Sequence, residues 1–296
     1  MGKALAETFP ICRETFAEAD AALGENLSRL CFEGPDDQLM LTENTQPAIL
    51  AMSVAASRLL ESRGVRPALV AGHSLGEYSA NVAAGTFSFG DAMRLVRRRG
   101  RYMQEAVPVG TGAMSAILGL DAEKVAQACV DAAQGQIVAP ANMNGAGQVV
   151  IAGAKDAVER AGARAKMLGA KRVVPLPVSA PFHCALMKPA EDRLAPELRA
   201  MSVRDPRVPV VANVDALPKR DAASAIDALV RQVSSAVRWE DSVRRLASEG
   251  VTTYLEAGPG SVLSGLIRKI QHHVHVAAVG APDDLESARA LFAVTR

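Results

Sequence analysis

The chain has 296 residues, with 33 Lys plus Arg against 32 Asp plus Glu and a hydrophobic fraction of 49%. That near-neutral balance gives no electrostatic case for nucleic acid or an anionic membrane as a partner, and it leaves ample apolar material for a core. No apolar run approaches the roughly 20 residues of a membrane span and no signal peptide opens the sequence, while the four cysteines Cys12, Cys31, Cys129 and Cys184 show no paired spacing, so a reduced cytoplasmic protein without structural zinc is expected.

Residues 3–23 carry apolar side chains at helical spacing and stop at Gly24, a good terminator. Residues 46–63 read as an Ala- and Leu-rich helix that ends before Gly64. The short apolar run 67–72 suits a strand buried on both faces, and it leads directly into Ser74 and an Ala-rich helix over 77–84. A further helix spans 91–106, with Asp91 placed as its N-cap.

From residue 112 the pattern changes. Strand 113–118 is followed by helix 121–133, capped by Asp121. Strands 137–141 and 148–152 flank the turn-rich Asn142-Met143-Asn144-Gly145-Ala146-Gly147, and helix 155–168, stopped by Gly169, precedes strand 171–178. The order β-α-β-β-α-β is the ferredoxin-like split unit. Residues 108–179 are therefore read as a small inserted subdomain, and 1–107 with 180–296 as one large α/β domain. In the latter, 208–214 and 252–257 read as buried strands, each followed by turn residues and a helix, and 274–279 as a final strand. Strands alternating with helices imply a mostly parallel, α/β-hydrolase-like sheet covered on both faces.

Gly72-His73-Ser74-Leu75-Gly76 fits G-x-S-x-G between the first of these strands and a helix. A serine on a tight strand-to-helix turn exposes its hydroxyl, and small flanking residues let the backbone bend. The next backbone N–H, that of Leu75, then points where a tetrahedral oxyanion forms, at the positive end of the helix. A bare G-x-S-x-G also arises by chance as a structural turn; the flanking strand and helix give this one its weight.

A serine needs a neighbouring base near neutral pH, and the sequence has only five histidines. His73 adjoins the serine, and consecutive residues at a tight turn point apart. His272, His273 and His275 flank the last strand, where alternation puts His273 and His275 on one face, a polar strand face or a metal pair lacking a third ligand. His183 remains, in Val178-Ser179-Ala180-Pro181-Phe182-His183-Cys184, where the insert returns to the large domain. Such junctions line clefts; a capping or core histidine is the other reading. In helix 91–106 the apolar stripe Ala92, Leu95, Val96, Tyr102, Met103, Ala106 contains Arg99. A buried guanidinium requires an anion, either an internal acid or a substrate carboxylate that fits its bidentate fork.

Together Gly72-His73-Ser74-Leu75-Gly76-Glu77-Tyr78-Ser79, Arg99-Gly100-Arg101-Tyr102-Met103-Gln104, Ala180-Pro181-Phe182-His183 and Glu256-Ala257-Gly258-Pro259-Gly260 resemble the malonyl-CoA:acyl carrier protein transacylases of type II fatty acid synthesis, in family order and over essentially the whole sequence. The resemblance implies a malonyl-serine intermediate at Ser74, His183 as general base, Arg99 on the malonyl carboxylate, and Gln232 orienting His183 in place of a triad aspartate. It places Asn142 and Asn144 near the coenzyme A arm, counts His73 among the substrate-binding residues, and takes Phe182 as favouring malonyl over methylmalonyl. It further implies acyl carrier protein and a coenzyme A thioester as partners, a monomer, and no metal or redox cofactor. Carrier proteins are acidic, so Arg97, Arg98 and Arg101 are candidates for docking.

Family members open with a buried strand and a Gly-Gln-Gly-Ser loop whose glutamine is a second oxyanion donor, and no such motif occurs in this sequence. Loss of one donor typically costs 10²–10³ in rate. If the sequence is complete as given, poor activity and low solubility are expected, with activity regained when such a segment is restored. Other readings are a polyketide-type acyltransferase for another acyl-CoA, an α/β-hydrolase esterase or thioesterase with a C-terminal histidine such as His273 as base and an acidic partner such as Asp241, and a noncatalytic carrier-binding subunit.

Overall fold

The computed structural model describes residues 1–178 and 180–293. The helix expected over 3–23 is broken into Lys3–Thr8 and Pro10–Leu23, with Phe9 extended between them. Pro10 has no N–H for the preceding turn, and its ring pushes Phe9 out of helical geometry, so the helix restarts with proline in its first turn. Thr42–Ser62 starts before the expected residue 46 and packs along Phe89–Glu105. The N-cap of the latter is Ser88, not Asp91: Ser88 Oγ accepts from Asp91 N–H and donates to its carboxylate at 2.6 Å, a reciprocal cap. The two helices pack tightly at Gly100, where a Cβ would lie 2.6 Å from Glu43 Cα. Only glycine lets the backbones come that near, and the contact sets the adjacent Arg99 beside Gln46.

Val70–Ala71 pairs in parallel with Val210–Val211, which pairs antiparallel with Pro218–Lys219. Thr253–Ala257 and His275–Val279 form a second parallel pair. The strands expected over 67–72 and 208–214 are thus shorter than read. Val70 and Ala71 are half-buried rather than buried on both faces, because they lie at the edge of their sheet among the described residues. Of Thr253–Ala257 only Tyr254 is buried. Parallel pairs linked through helices make this an α/β fold, as the alternation of elements predicts.

The ferredoxin-like unit is a four-stranded antiparallel sheet in the spatial order Val138–Gly145, Gln148–Ala154, Gly112–Leu118, Arg172–Pro175. Helices Ala122–Ala133 and Lys155–Met167 cover one face through Ile117, Val125, Ile151 and Val158. Asp121 caps the first, accepting from Lys124 N–H at 2.8 Å. Residues 142–145 are strand rather than turn. The sheet absorbs them through irregular register between Pro140 and Asn142 and between Met143 and Gly145, leaving the reversal to Ala146 and Gly147. The last strand stops at Pro175, where proline withholds a ladder donor. The expected boundary at residue 179 and the terminal residues 294–296 lie outside the described residues.

Two features attach this unit to the site. Alternation sends Met114, Ala116, Val150 and Ala152 to the sheet face opposite the helices, where they pack on Phe182, Cys184 and Leu186, the neighbours of His183. Val237 N–H donates to Ala141 C=O at 2.8 Å, and Val237 C=O accepts from Met143 N–H at 2.9 Å. Among the described residues no helix is long and apolar enough to cross a membrane.

Candidate active site

Ser74 sits between Val70–Ala71 and helix Leu75–Ala84 at φ 52° and ψ −107°, a conformation that costs serine on the order of 1–3 kcal/mol. Gly72 makes the bend possible, since a Cβ there would lie 2.0 Å from the Gly76 backbone. Asn213, just past Val210–Val211, holds both arms of the turn: Oδ1 accepts from Ser74 N–H and Nδ2 donates to Gly72 C=O, each at 2.7 Å. Gly76 N–H donates to His73 C=O and Glu77 N–H to Ser74 C=O. Among the described residues no backbone carbonyl takes Leu75 N–H, which stands unspent at the helix's positive end.

His183 Nε2 is 2.6 Å from Ser74 Oγ. Its Nδ1 is 3.0 Å from the backbone carbonyl oxygen of Gln232. A carbonyl can only accept, so Nδ1 carries the proton and the Nε2 lone pair faces the serine hydroxyl. Burial, aided by the Arg99 charge, pushes the His183 pKa down to about 3, so the resting imidazole is neutral. Of the competing pair, His273 is exposed and Asp241 is tied to Arg238 at 2.8 Å.

Arg99 is 1% exposed and has no carboxylate on its fork. Nη1 donates to Gln46 Oε1 at 2.6 Å, and Nη2 donates to Gln232 Oε1 at 3.0 Å and to Ser74 Oγ at 3.2 Å. Nε has no partner. Its guanidinium also lies 5.1 Å from the Tyr78 ring centre, a cation–π distance. The internal-acid alternative for this arginine therefore fails. The other arginines of this helix behave differently: Arg97 pairs with Glu25 at 2.6 Å, Arg98 with Glu197 at 2.5 Å and Arg101 with Glu43 at 3.5 Å, so the cations expected for docking are matched by acids of their own molecule.

The remaining candidates divide. His73 Nε2 is 2.9 Å from Asn144 Oδ1, and its ring stands 5.7 Å from that of Trp239. Burial lowers the His73 pKa. Asn142 lies on the same buried strand, bridged to Val237, and Phe182 is half-buried beside His183. Three site members escaped the sequence reading: Gln46, Glu77 and Asn213. A polar residue at the end of a buried strand was the available signal for Asn213. Glu77 at the third position of the serine's helix was legible as a capping carboxylate.

Acid stability is a measurable consequence. Neutral His183 is favoured in the fold, so below pH 6.5 the unfolded state gains a proton that the native state declines, down to about 3, and stability falls with pH. Buried Glu77 works in the opposite sense. Desolvation raises it from 4.5 to about 7, so between those values the native state holds a proton the unfolded state lacks. Glu77→Gln removes this offset. Its unfolding free energy should fall more steeply than wild type between pH 6.5 and 4.5, by about 1 kcal/mol per pH unit, as read by denaturant titrations. Parallel pH dependences would refute the opposed pair.

The sequence profile of the acyl transferase domain family matches residues 1–287. A malonyl CoA-acyl carrier protein transacylase from Salmonella typhimurium strain LT2 is 54% identical over 285 residues, 96% of this chain and 92% of the relative. The chain belongs to the malonyl CoA-acyl carrier protein transacylase family. An acyl carrier protein S-malonyltransferase from Vibrio cholerae O1 biovar eltor superimposes with a TM-score of 0.95 at 50% identity, covering 97% of this chain and 94% of that one. A malonyl-transacylase in complex with its type II polyketide acyl-carrier protein gives 0.95 at 51% identity, covering 97% and 94%. In this transacylase the serine hydroxyl lies within hydrogen-bond reach of both the imidazole and the guanidinium described above.

Proposed function

We propose that this protein transfers malonyl from malonyl-CoA to the phosphopantetheine thiol of acyl carrier protein through an ester on Ser74. One observation carries the roles of the residues: a serine hydroxyl 2.6 Å from a neutral imidazole and 3.2 Å from a buried arginine that no acid neutralises. His183 Nε2 takes the Ser74 proton as Oγ attacks the thioester carbonyl, and Leu75 N–H receives the oxyanion. Collapse breaks the C–S bond, and the coenzyme A sulfur leaves with the proton from His183. The carrier thiol then gives its proton to His183 and attacks the ester, and Ser74 departs with that proton. Arg99 holds the malonyl carboxylate, three covalent bonds from Oγ in the acyl-enzyme. His73, Asn142 and Asn144 border the thioester arm, and Phe182 restricts the acyl group.

Residues 1–107 and 180–296 form the catalytic domain in this reading, and 108–179 the insert that closes one wall. Proton transfer and acyl exchange complete the cycle, so no metal or redox cofactor is invoked. Four buried free cysteines support a cytoplasmic site of action. Rates measured against malonyl-CoA at several carrier protein concentrations should give parallel double-reciprocal lines, the mark of a covalent intermediate. Intersecting lines would contradict it.

A further inference from the structure

Glu77 is 1% exposed, carries an ionisable group next to the reacting atoms and has no part in the proton transfers described. Its Oε2 accepts from Gln232 Nε2 at 2.7 Å and from Asn213 N–H at 3.0 Å. Gln232 Nε2 also donates to Ser74 C=O at 2.9 Å, while Gln232 Oε1 accepts from Arg99 Nη2 at 3.0 Å. The amide is thus a bridge between a buried carboxylate and a buried guanidinium that do not touch. A carboxylate can only accept and a guanidinium can only donate, so with Glu77 ionised one orientation of the Gln232 amide satisfies both. We propose that Glu77 is a positioning residue for acyl selectivity: it fixes the Gln232 amide, which in turn holds the Arg99 fork towards the serine with donors left over for a substrate carboxylate.

Had the carboxylate met the guanidinium directly, their fork-to-fork pair would occupy the donors that a malonyl group needs. One amide in between links the two groups and leaves the fork unquenched. This inference rests on Arg99 as the carboxylate clamp, and its test separates the two. Acylation of the full-length protein by malonyl-CoA and by acetyl-CoA is followed by time-resolved intact-protein mass spectrometry for wild type, Glu77→Gln and Arg99→Ala. Glu77→Gln keeps the size of the side chain but lets the Gln232 amide turn over. Its malonyl rate should fall about 10-fold or more, the scale of a hydrogen bond to a charged group, while its acetyl rate stays within about 3-fold of wild type.

Equal losses for both thioesters, or an unchanged malonyl rate, would overturn the positioning role. A malonyl-to-acetyl ratio that survives Arg99→Ala would instead overturn the clamp. Gln232→Met provides a second route, since it keeps the backbone carbonyl for His183 but removes the bridging amide; the same loss of ratio is expected there, and retention of the ratio overturns the proposal.

Discussion

Arg99→Ala is expected to slow malonyl loading of Ser74 by roughly 10²- to 10⁴-fold while loading from acetyl-CoA falls far less. The magnitude follows from the about 3–5 kcal/mol lost when one partner of a buried charged pair is removed. In the free enzyme the guanidinium makes do with two amide oxygens and a hydroxyl, acceptors weaker than a carboxylate. A malonyl group brings the missing anion into a site from which water is largely excluded. An acetyl group brings none, so the wild-type enzyme pays to bury an unmatched cation against it, and the alanine variant does not. The selectivity between the two thioesters should therefore collapse from both sides. Arg99→Lys is expected to recover little, because a single ammonium cannot span Gln46, Gln232 and the ligand at once. Competition assays with mixed thioesters read the ratio directly, and an Arg99→Ala enzyme that still prefers malonyl would place the specificity elsewhere.

His183→Ala is expected to reduce the acylation rate by about 10⁴- to 10⁶-fold, the range seen when the base of a serine nucleophile is removed. His183 is the one imidazole within hydrogen-bond reach of Ser74 Oγ among the described residues. The fold should survive: the change leaves the Gln232 carbonyl without its donor, at about 1–3 kcal/mol. It also removes a group whose neutrality is costly in acid, so the variant should lose less stability than wild type as pH falls below 6.5. Single-turnover acylation and thermal unfolding at pH 7 and pH 5 report both effects. Acylation within 10-fold of wild type would mean that the serine draws its base from another residue.

How much of this was legible in the sequence depended on whether a signal was local. The α/β architecture, the ferredoxin-like unit and the elbow at Ser74 follow from periodicity and turn residues a few positions apart. Arg99 could be singled out because one arginine interrupts an apolar stripe. Element ends were less accessible. Pro10 broke a helix whose apolar spacing runs straight through it, and the asparagines at 142 and 144, good turn formers, were kept in a strand by irregular register and by the Val237 bridge. What stayed hidden were partnerships between distant segments. Nothing near Arg99 says that its acceptors are Gln46 and Gln232, or that Gln232 meets His183 through its backbone and Glu77 through its side-chain amide. Nor does an exposed-looking run of arginines reveal that Glu25, Glu43 and Glu197 already answer it.

The central claim is that an activated hydroxyl and an unquenched guanidinium serve one small acyl group. Intact-protein mass spectrometry after brief exposure to malonyl-CoA, followed by addition of the pantetheinylated carrier, tests it most directly. Wild type should gain one malonyl group, mapped by peptide fragmentation to Ser74, and should lose it to the carrier; Ser74→Ala should gain none. A malonyl group that still appears on Ser74→Ala, or one on Ser74 that the carrier thiol cannot remove, would contradict the account.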